Sequence, residues 1–135
     1  VDAFDADCLI YAASGGHPLG IRVAALLDAQ PSAAGVNVGS TVLIPELLSK
    51  PIREERTAEI SLLTFILARL ELHPVDRSIA SLATVLGARY RLGAADAIHL
   101  ATAVAAGADR FITNNRRDFD REQIVEIDIT YPDML

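Results

Sequence analysis

Short apolar segments alternate with stretches of helical periodicity, and this alternation constrains the fold more than any other feature of the chain. Val1 to Asp5, Gly35 to Val38, Arg110 to Thr113 and Ile124 to Ile127 read as strands, with a brief extended piece at His73 to Asp76. Between them lie predicted helices. Cys8 to Ala13 follows Asp7 as its N-cap. Leu19 to Ala29 ends before Gln30-Pro31. Ser40 to Lys50 is capped by Ser40 or opened by Pro45. Arg53 to Leu72 and Arg77 to Tyr90 follow, then Ala95 to Ala106, which Gly107 ends. This order predicts an α/β fold with three α/β/α layers and a mainly parallel sheet of four or five strands. Ligands of such folds sit beyond the carboxyl ends of the strands.

A length of 135 residues predicts one domain, residues 1–135. With 51% hydrophobic and 22% charged residues the chain can build a core without staples. Cys8 is the sole cysteine, which excludes an internal disulfide or a multi-cysteine zinc site and fits a reducing cytoplasm. The longest apolar stretch, Ile60 to Leu70, is too short and too polar for a membrane span. The first residues are acidic, so no secretory leader is expected in them. The net charge of −6 excludes nucleic-acid binding by bulk attraction. Contact with nucleic acid would have to use local patches or bound metal.

Acidic residues fall where the strand-end rule directs attention: Asp5 and Asp7 after the first strand, Glu46 and Asp96 in early helical turns. A polar group, Thr113-Asn114-Asn115, follows a later strand. Asp5 lies within an apolar run (Ala3, Phe4, Ala6), where a carboxylate is costly unless it is used. Asp7 reads equally well as a cap, Glu46 as a solvated helix acid, and Asp96 as an acid favoured by the helix dipole. If these residues converge they repel, by about 4 kcal/mol per pair at about 4 Å and an effective dielectric near 20. Such a cluster either raises pKa values or binds a cation. Oxygen donors without Cys or paired His favour Mg²⁺ or Mn²⁺, ions that activate water for phosphoryl displacement.

Four segments also resemble the motifs of PIN-domain ribonucleases. They are Phe4-Asp5-Ala6-Asp7-Cys8-Leu9-Ile10-Tyr11, Ser40 to Leu48 with Glu46, Ala95-Asp96-Ala97-Ile98-His99-Leu100-Ala101-Thr102-Ala103, and Phe111-Ile112-Thr113-Asn114-Asn115 with Asp118-Phe119. Their order and spacing agree from about Ala3 to Asp128, and the nearest subgroup is the small VapC-like toxin of toxin–antitoxin pairs. The resemblance implies a PIN-like fold and metal-dependent RNA cleavage in the cytoplasm. It assigns Asp5, Glu46 and Asp96 as catalytic metal ligands for Mg²⁺ or Mn²⁺. It makes Thr113 a support for the fourth-motif loop, and it implies a cognate antitoxin and a homodimer. The chain departs at Asn115, where many relatives carry Asp. The site therefore runs on one firmly held ion, or Asp118 or Asp7 compensates.

Further residues are read beside these. His99, one turn after Asp96, is placed to hydrogen-bond it. Arg110, Arg116, Arg117 and Arg121 are candidate RNA-phosphate contacts, or a solvated loop paired with Asp118 and Asp120. Leu62, Leu63, Phe65, Ile66 and Leu70 are too many for one narrow apolar stripe, and the excess suits a dimer contact or antitoxin groove. Two rivals exist. Asp5-Ala6-Asp7 superficially matches a haloacid-dehalogenase phosphatase, but the sole lysine, Lys50, precedes Thr113 instead of following it. A degraded PIN fold that only binds a partner is favoured by Asn115 alone.

Overall fold

Asp2–Phe4 forms β1, and Asp5 turns the chain into α1 (Ala6–Ala13) by accepting a hydrogen bond from the Ala6 N–H at 2.9 Å. The computed structural model describes residues 1–29, 33 and 35–135. The cap of α1 is thus Asp5 and not Asp7, because the strand ends one residue sooner than expected. His17 caps α2 (Pro18–Asp28) through its ring nitrogen. Gln30 and Pro31, the stop expected for α2, lie outside the described residues.

Next come β2 (Val38–Ser40), α3 (Leu43–Arg53), α4 (Thr57–Ala68) and β3 (Glu71–His73). The β2 strand falls later than Gly35 to Val38. Neither expected start of α3 holds: its N-cap is Val42, whose N–H donates to Ser40 Oγ, and Pro45 is its third residue. The expected helix from Arg53 to Leu72 is also corrected. Arg53 ends α3, Glu55 takes a left-handed conformation (φ 55°), and α4 starts afresh at Thr57. At the far end α4 stops at Ala68, and Glu71 and Leu72 belong to β3, which starts before the extended piece expected at His73 to Asp76. The chain closes with α5 (Arg77–Tyr90), α6 (Ala94–Ala105), β4 (Arg110–Ile112) and β5 (Asp128–Thr130), then a short 3₁₀ turn. Ile124 and Ile127, expected in the last strand, are buried ahead of β5 without forming it. Their apolar character reports packing, which a loop can supply as well as a strand.

Among the described residues five strands form one parallel sheet in the order β3-β2-β1-β4-β5. Successive residues point to opposite faces. Ala3 and Phe111 join a core with α5 and α6, while Phe4 and Ile112 join one with α1 to α4. These are the three expected layers. The chain builds β2 and β3 on one side of β1, then returns to place β4 and β5 on the other. The sheet therefore reverses its winding between β1 and β4, the position where α/β folds bind ligands.

Candidate active site

Asp5 and Thr113 stand at that reversal. Phe4 pairs with Ile112, and the Asp5 N–H donates to the Ile112 carbonyl at 2.9 Å, so β1 and β4 end together. Thr113 Oγ1 then donates to Asp5 Oδ2 at 2.8 Å and accepts the Asn115 N–H at 3.1 Å. Both side chains are buried. The Asn114 N–H donates to Asp7 Oδ2 at 3.1 Å, which ties α1 to the loop after β4. Asp7 Oδ1 is buried without a hydrogen-bond partner among the described residues. Asn115 turns towards Asp118, donating to its carboxylate at 2.9 Å and accepting its N–H at 3.3 Å.

Asp96 lies in the first turn of α6. Burial raises the carboxyl pKa of Asp5, Asp7 and Asp96 above its ordinary value. Neighbouring charges add to this: Asp7 acts on Asp5, Asp96 on Asp7, and Asp5 and Asp118 on Asp96. The three carboxyls thus share one electrostatic environment. Glu46 pushes Asp96 the same way more weakly, and His99 opposes both. Asp118, on the open side, is held below the ordinary range by its bond from Asn115.

His99 does not bond Asp96. Its Nε2 meets Glu46 Oε1, and its Nδ1 has no partner among the described residues. The side chain is buried, while Glu46 is about one-third exposed (34%). One helical turn separates His99 from Asp96, but the fold brings Glu46 of α3 within hydrogen-bond reach of the ring.

The arginines are spread over several carboxylates. Arg110 forks onto Asp2 with two 2.9 Å bonds. Arg116 pairs with Asp133 and lies over the Tyr131 ring, Arg117 contacts Asp118 at 3.4 Å, and Arg121 approaches Asp128 at 3.9 Å. Of the partners expected from sequence only Asp118 takes part; Asp120 spends its carboxylate on the Glu122 N–H. Cys8 is fully buried and burial drives its thiol pKa up, so it is no nucleophile.

Tyr11 is not among the site residues expected from sequence, and Asn114 enters only as a member of the polar Thr113-Asn114-Asn115 group. Asn114 Nδ2 donates to the Tyr11 hydroxyl at 3.3 Å. The available signal was spacing, since Tyr11 follows Asp7 by four residues and shares its helix face.

All donors in the cluster are oxygens, and the unpartnered Asp7 oxygen together with three destabilised carboxylates suits a hard divalent cation. Among the described residues no three His, Cys, Asp or Glu side chains converge to cage an ion directly. Mg²⁺ does not need such a cage: it keeps several waters and takes one or two carboxylates. The donor set fits an ion held in that way.

Residues 3–123 match the family model described as PIN domain. No curated protein matches the chain. Among solved structures it is similar to a toxin–antitoxin complex from Klebsiella pneumoniae, with TM-score 0.76 and 24% identity, covering 98% of each chain. It is also similar to VapBC2 from Rickettsia felis bound to a DNA fragment from their promoter, with TM-score 0.74 and 18% identity over 96% of this chain and 97% of that one. DNA-bound VapBC from Salmonella typhimurium gives 0.72 and 21%, covering 97% of each. At these identities the likeness is one of fold.

Proposed function

The chain belongs to the PIN-domain family, and from that premise we propose that it is a metal-dependent endoribonuclease, the toxin of a toxin–antitoxin pair. We read residues 1–135 as one PIN-like domain. One observation carries the nuclease reading: Asp5 and Asp7 are both tied to the loop after β4 at the sheet reversal, where burial and neighbouring carboxylates, Asp96 among them, keep their charged forms unfavourable. A protein retains such a cluster where a cation or a reaction uses it.

In this reading Asp5, Glu46 and Asp96 serve Mg²⁺ or Mn²⁺, one or two of them as direct ligands and the rest through the waters the ion keeps. Asp7 supplies the charge that Asn115 lacks, and Asp118 flanks the site. The ion, when bound, supplies an activated water and stabilises charge on the scissile phosphate. Thr113 orients Asp5 through its 2.8 Å bond and keeps one carboxylate face directed. His99 orients Glu46. Arg116, Arg117 and Arg121 offer outlying phosphate contacts, whereas Arg110 is committed to Asp2.

The three structural neighbours are described as toxin–antitoxin or VapBC assemblies, which supports an antitoxin partner. Leu62 and Phe65 support it too. Leu63, Ile66 and Leu70 are buried in the core, but these two remain half exposed and line an apolar groove with Ala12, Ala24 and Leu27. Homodimerisation belongs to the same reading. Among the described residues no helix is long and apolar enough to cross a membrane, and a cytoplasmic site of action accords with that.

The test is incubation of purified protein with mixed cellular RNA in Mg²⁺, Mn²⁺ or EDTA, beside the Asp96→Asn variant. Cleavage that requires metal and disappears in the variant is the expected result. Cleavage that persists in the variant would place the chemistry elsewhere. Absence of both cleavage and Mn²⁺ binding would favour the binding-module alternative.

A further inference from the structure

We infer that Tyr11 and His17 form a stacking platform for a nucleobase of single-stranded RNA beside the carboxylate cluster, an inference that rests on the ribonuclease reading. The two rings stack with centroids 4.5 Å apart and planes inclined by 11°. The other ring pair among the described residues, Phe111 with Phe119, is fully buried in the core. Tyr11 and His17 are only half-buried, and the Ser14-Gly15-Gly16 turn and Pro18 around His17 are exposed. Each ring thus keeps part of its surface exposed, and a flat ligand would stack on an outer face of the pair.

Its position ties it to the site. Tyr11 stands one helical turn after Asp7 on the same face of α1. Asn114 bridges the two, its side chain donating to the Tyr11 hydroxyl and its backbone N–H to Asp7. A nucleotide whose phosphate lies at the carboxylates would place a neighbouring base at the rings.

Charge supplies the need for such a platform. The chain carries a net −6, and Arg110, Arg116, Arg117 and Arg121 all face carboxylates of the chain itself. Electrostatic grip on an RNA backbone is correspondingly weak. Base stacking is independent of net charge and tolerates any sequence, and it requires an unstacked base, which selects single strands over duplexes.

The platform is also built firmly. A Cβ at Gly20 would lie 2.0 Å from the Tyr11 carbonyl oxygen, so α2 packs in close contact with the α1 backbone at Tyr11. His17 Nδ1 accepts the Leu19 and Gly20 N–H groups at 3.1 and 3.3 Å, which fixes the ring plane. In the neutral imidazole the proton then sits on Nε2, turned away from the cap and able to donate to a base edge or phosphate.

The experiment measures fluorescence anisotropy of labelled single-stranded RNA and of a duplex of the same sequence, in Mg²⁺, with the Asp96→Asn protein as parent. His17→Asn removes the ring and keeps a good N-cap side chain. Tyr11→Leu removes the ring and keeps apolar bulk, and Tyr11→Phe keeps the ring and removes the hydroxyl. We expect His17→Asn and Tyr11→Leu each to weaken single-strand binding about tenfold, the order found for loss of one base stack. Duplex binding and Mn²⁺ binding should stay near the parent, and Tyr11→Phe, which keeps the ring, should bind the single strand more tightly than Tyr11→Leu. Single-strand affinity retained in either folded ring-removal variant, or lost equally for the duplex, overturns the platform alone. An unsubstituted protein that neither binds nor cleaves RNA in Mg²⁺ overturns the ribonuclease reading, and the platform with it. Thermal melts accompany each variant, and either ring-removal variant that folds is decisive.

Discussion

His99 Nε2 of α6 bonds Glu46 Oε1 of α3, joining a buried ring to a partly exposed carboxylate beside the acidic cluster. The two residues are 53 positions apart. Their contact sets the direction of Glu46, so His99 acts through Glu46 and not on substrate. His99→Leu should cost about 1–3 kcal/mol of stability, because it leaves a polar partner unpaired. It should also weaken Mn²⁺ binding by about 10- to 100-fold, the range seen when a ligand loses its outer hydrogen bond. His99→Gln, which keeps a donor, should recover part of the metal affinity. Urea melts and Mn²⁺ titration read the two effects separately; equal metal affinity in all three proteins would detach His99 from the site.

Asp5, Asp7 and Asp96 give the metal-free protein an unusual pH dependence. Their folded-state pKa values lie above the ordinary 3.8. In the window from 3.8 up to the raised values, the folded chain holds protons that the unfolded chain has released. Stability therefore falls as pH rises through that window, and the penalty is complete above it. Asp109 and Asp118 shift the opposite way, but they sit in solvent, where screening keeps their effect small. Urea melts between pH about 4 and about 7 should show metal-free stability declining with pH. Added Mn²⁺ should reverse the trend, since it binds the deprotonated carboxylates.

Asp7→Asn separates stability from function in one variant. It removes a charge from the cluster while retaining an oxygen for the Asn114 N–H. The metal-free protein should melt at a higher temperature than the parent. Mn²⁺ affinity and RNA cleavage should both fall, by about tenfold or more. Unchanged cleavage with a raised melting temperature would make Asp7 a purely structural burden.

Gly20→Ala tests the crossing of α1 and α2. Alanine is about 1 kcal/mol better than glycine inside a helix. Against this, the added Cβ would lie 2.0 Å from the Tyr11 carbonyl oxygen and 2.5 Å from its carbon, backbone atoms that cannot swing aside. Overpacking of this kind costs about 1–3 kcal/mol or more, so the clash should win. The urea midpoint should drop, and a midpoint equal to or above the parent would mean that the helices separate readily.

Much of this protein could be read without coordinates. The alternation of short strands and helices predicted three layers and a parallel sheet. Asp5, buried within an apolar run, stood out as a carboxylate too costly to be incidental, and Asp5 and Asp96 do share one environment. These features are local: they depend on a residue and its near neighbours in sequence. Other features were invisible for an equally physical reason. The break between α3 and α4 falls at Glu54 to Arg56, a few residues later than expected, because the left-handed turn at Glu55 is set by backbone conformation that residue type does not announce. Ile124 and Ile127 are buried yet lie outside β5, since burial does not require a strand partner. His99 chose Glu46 over Asp96, and Asn114 linked Asp7 to Tyr11, only when the winding of the sheet reversed between β1 and β4 and brought distant segments together. Sequence determined which residues could do chemistry; tertiary structure decided which of them meet, because partner choice follows distances that only the packed sheet and helices set.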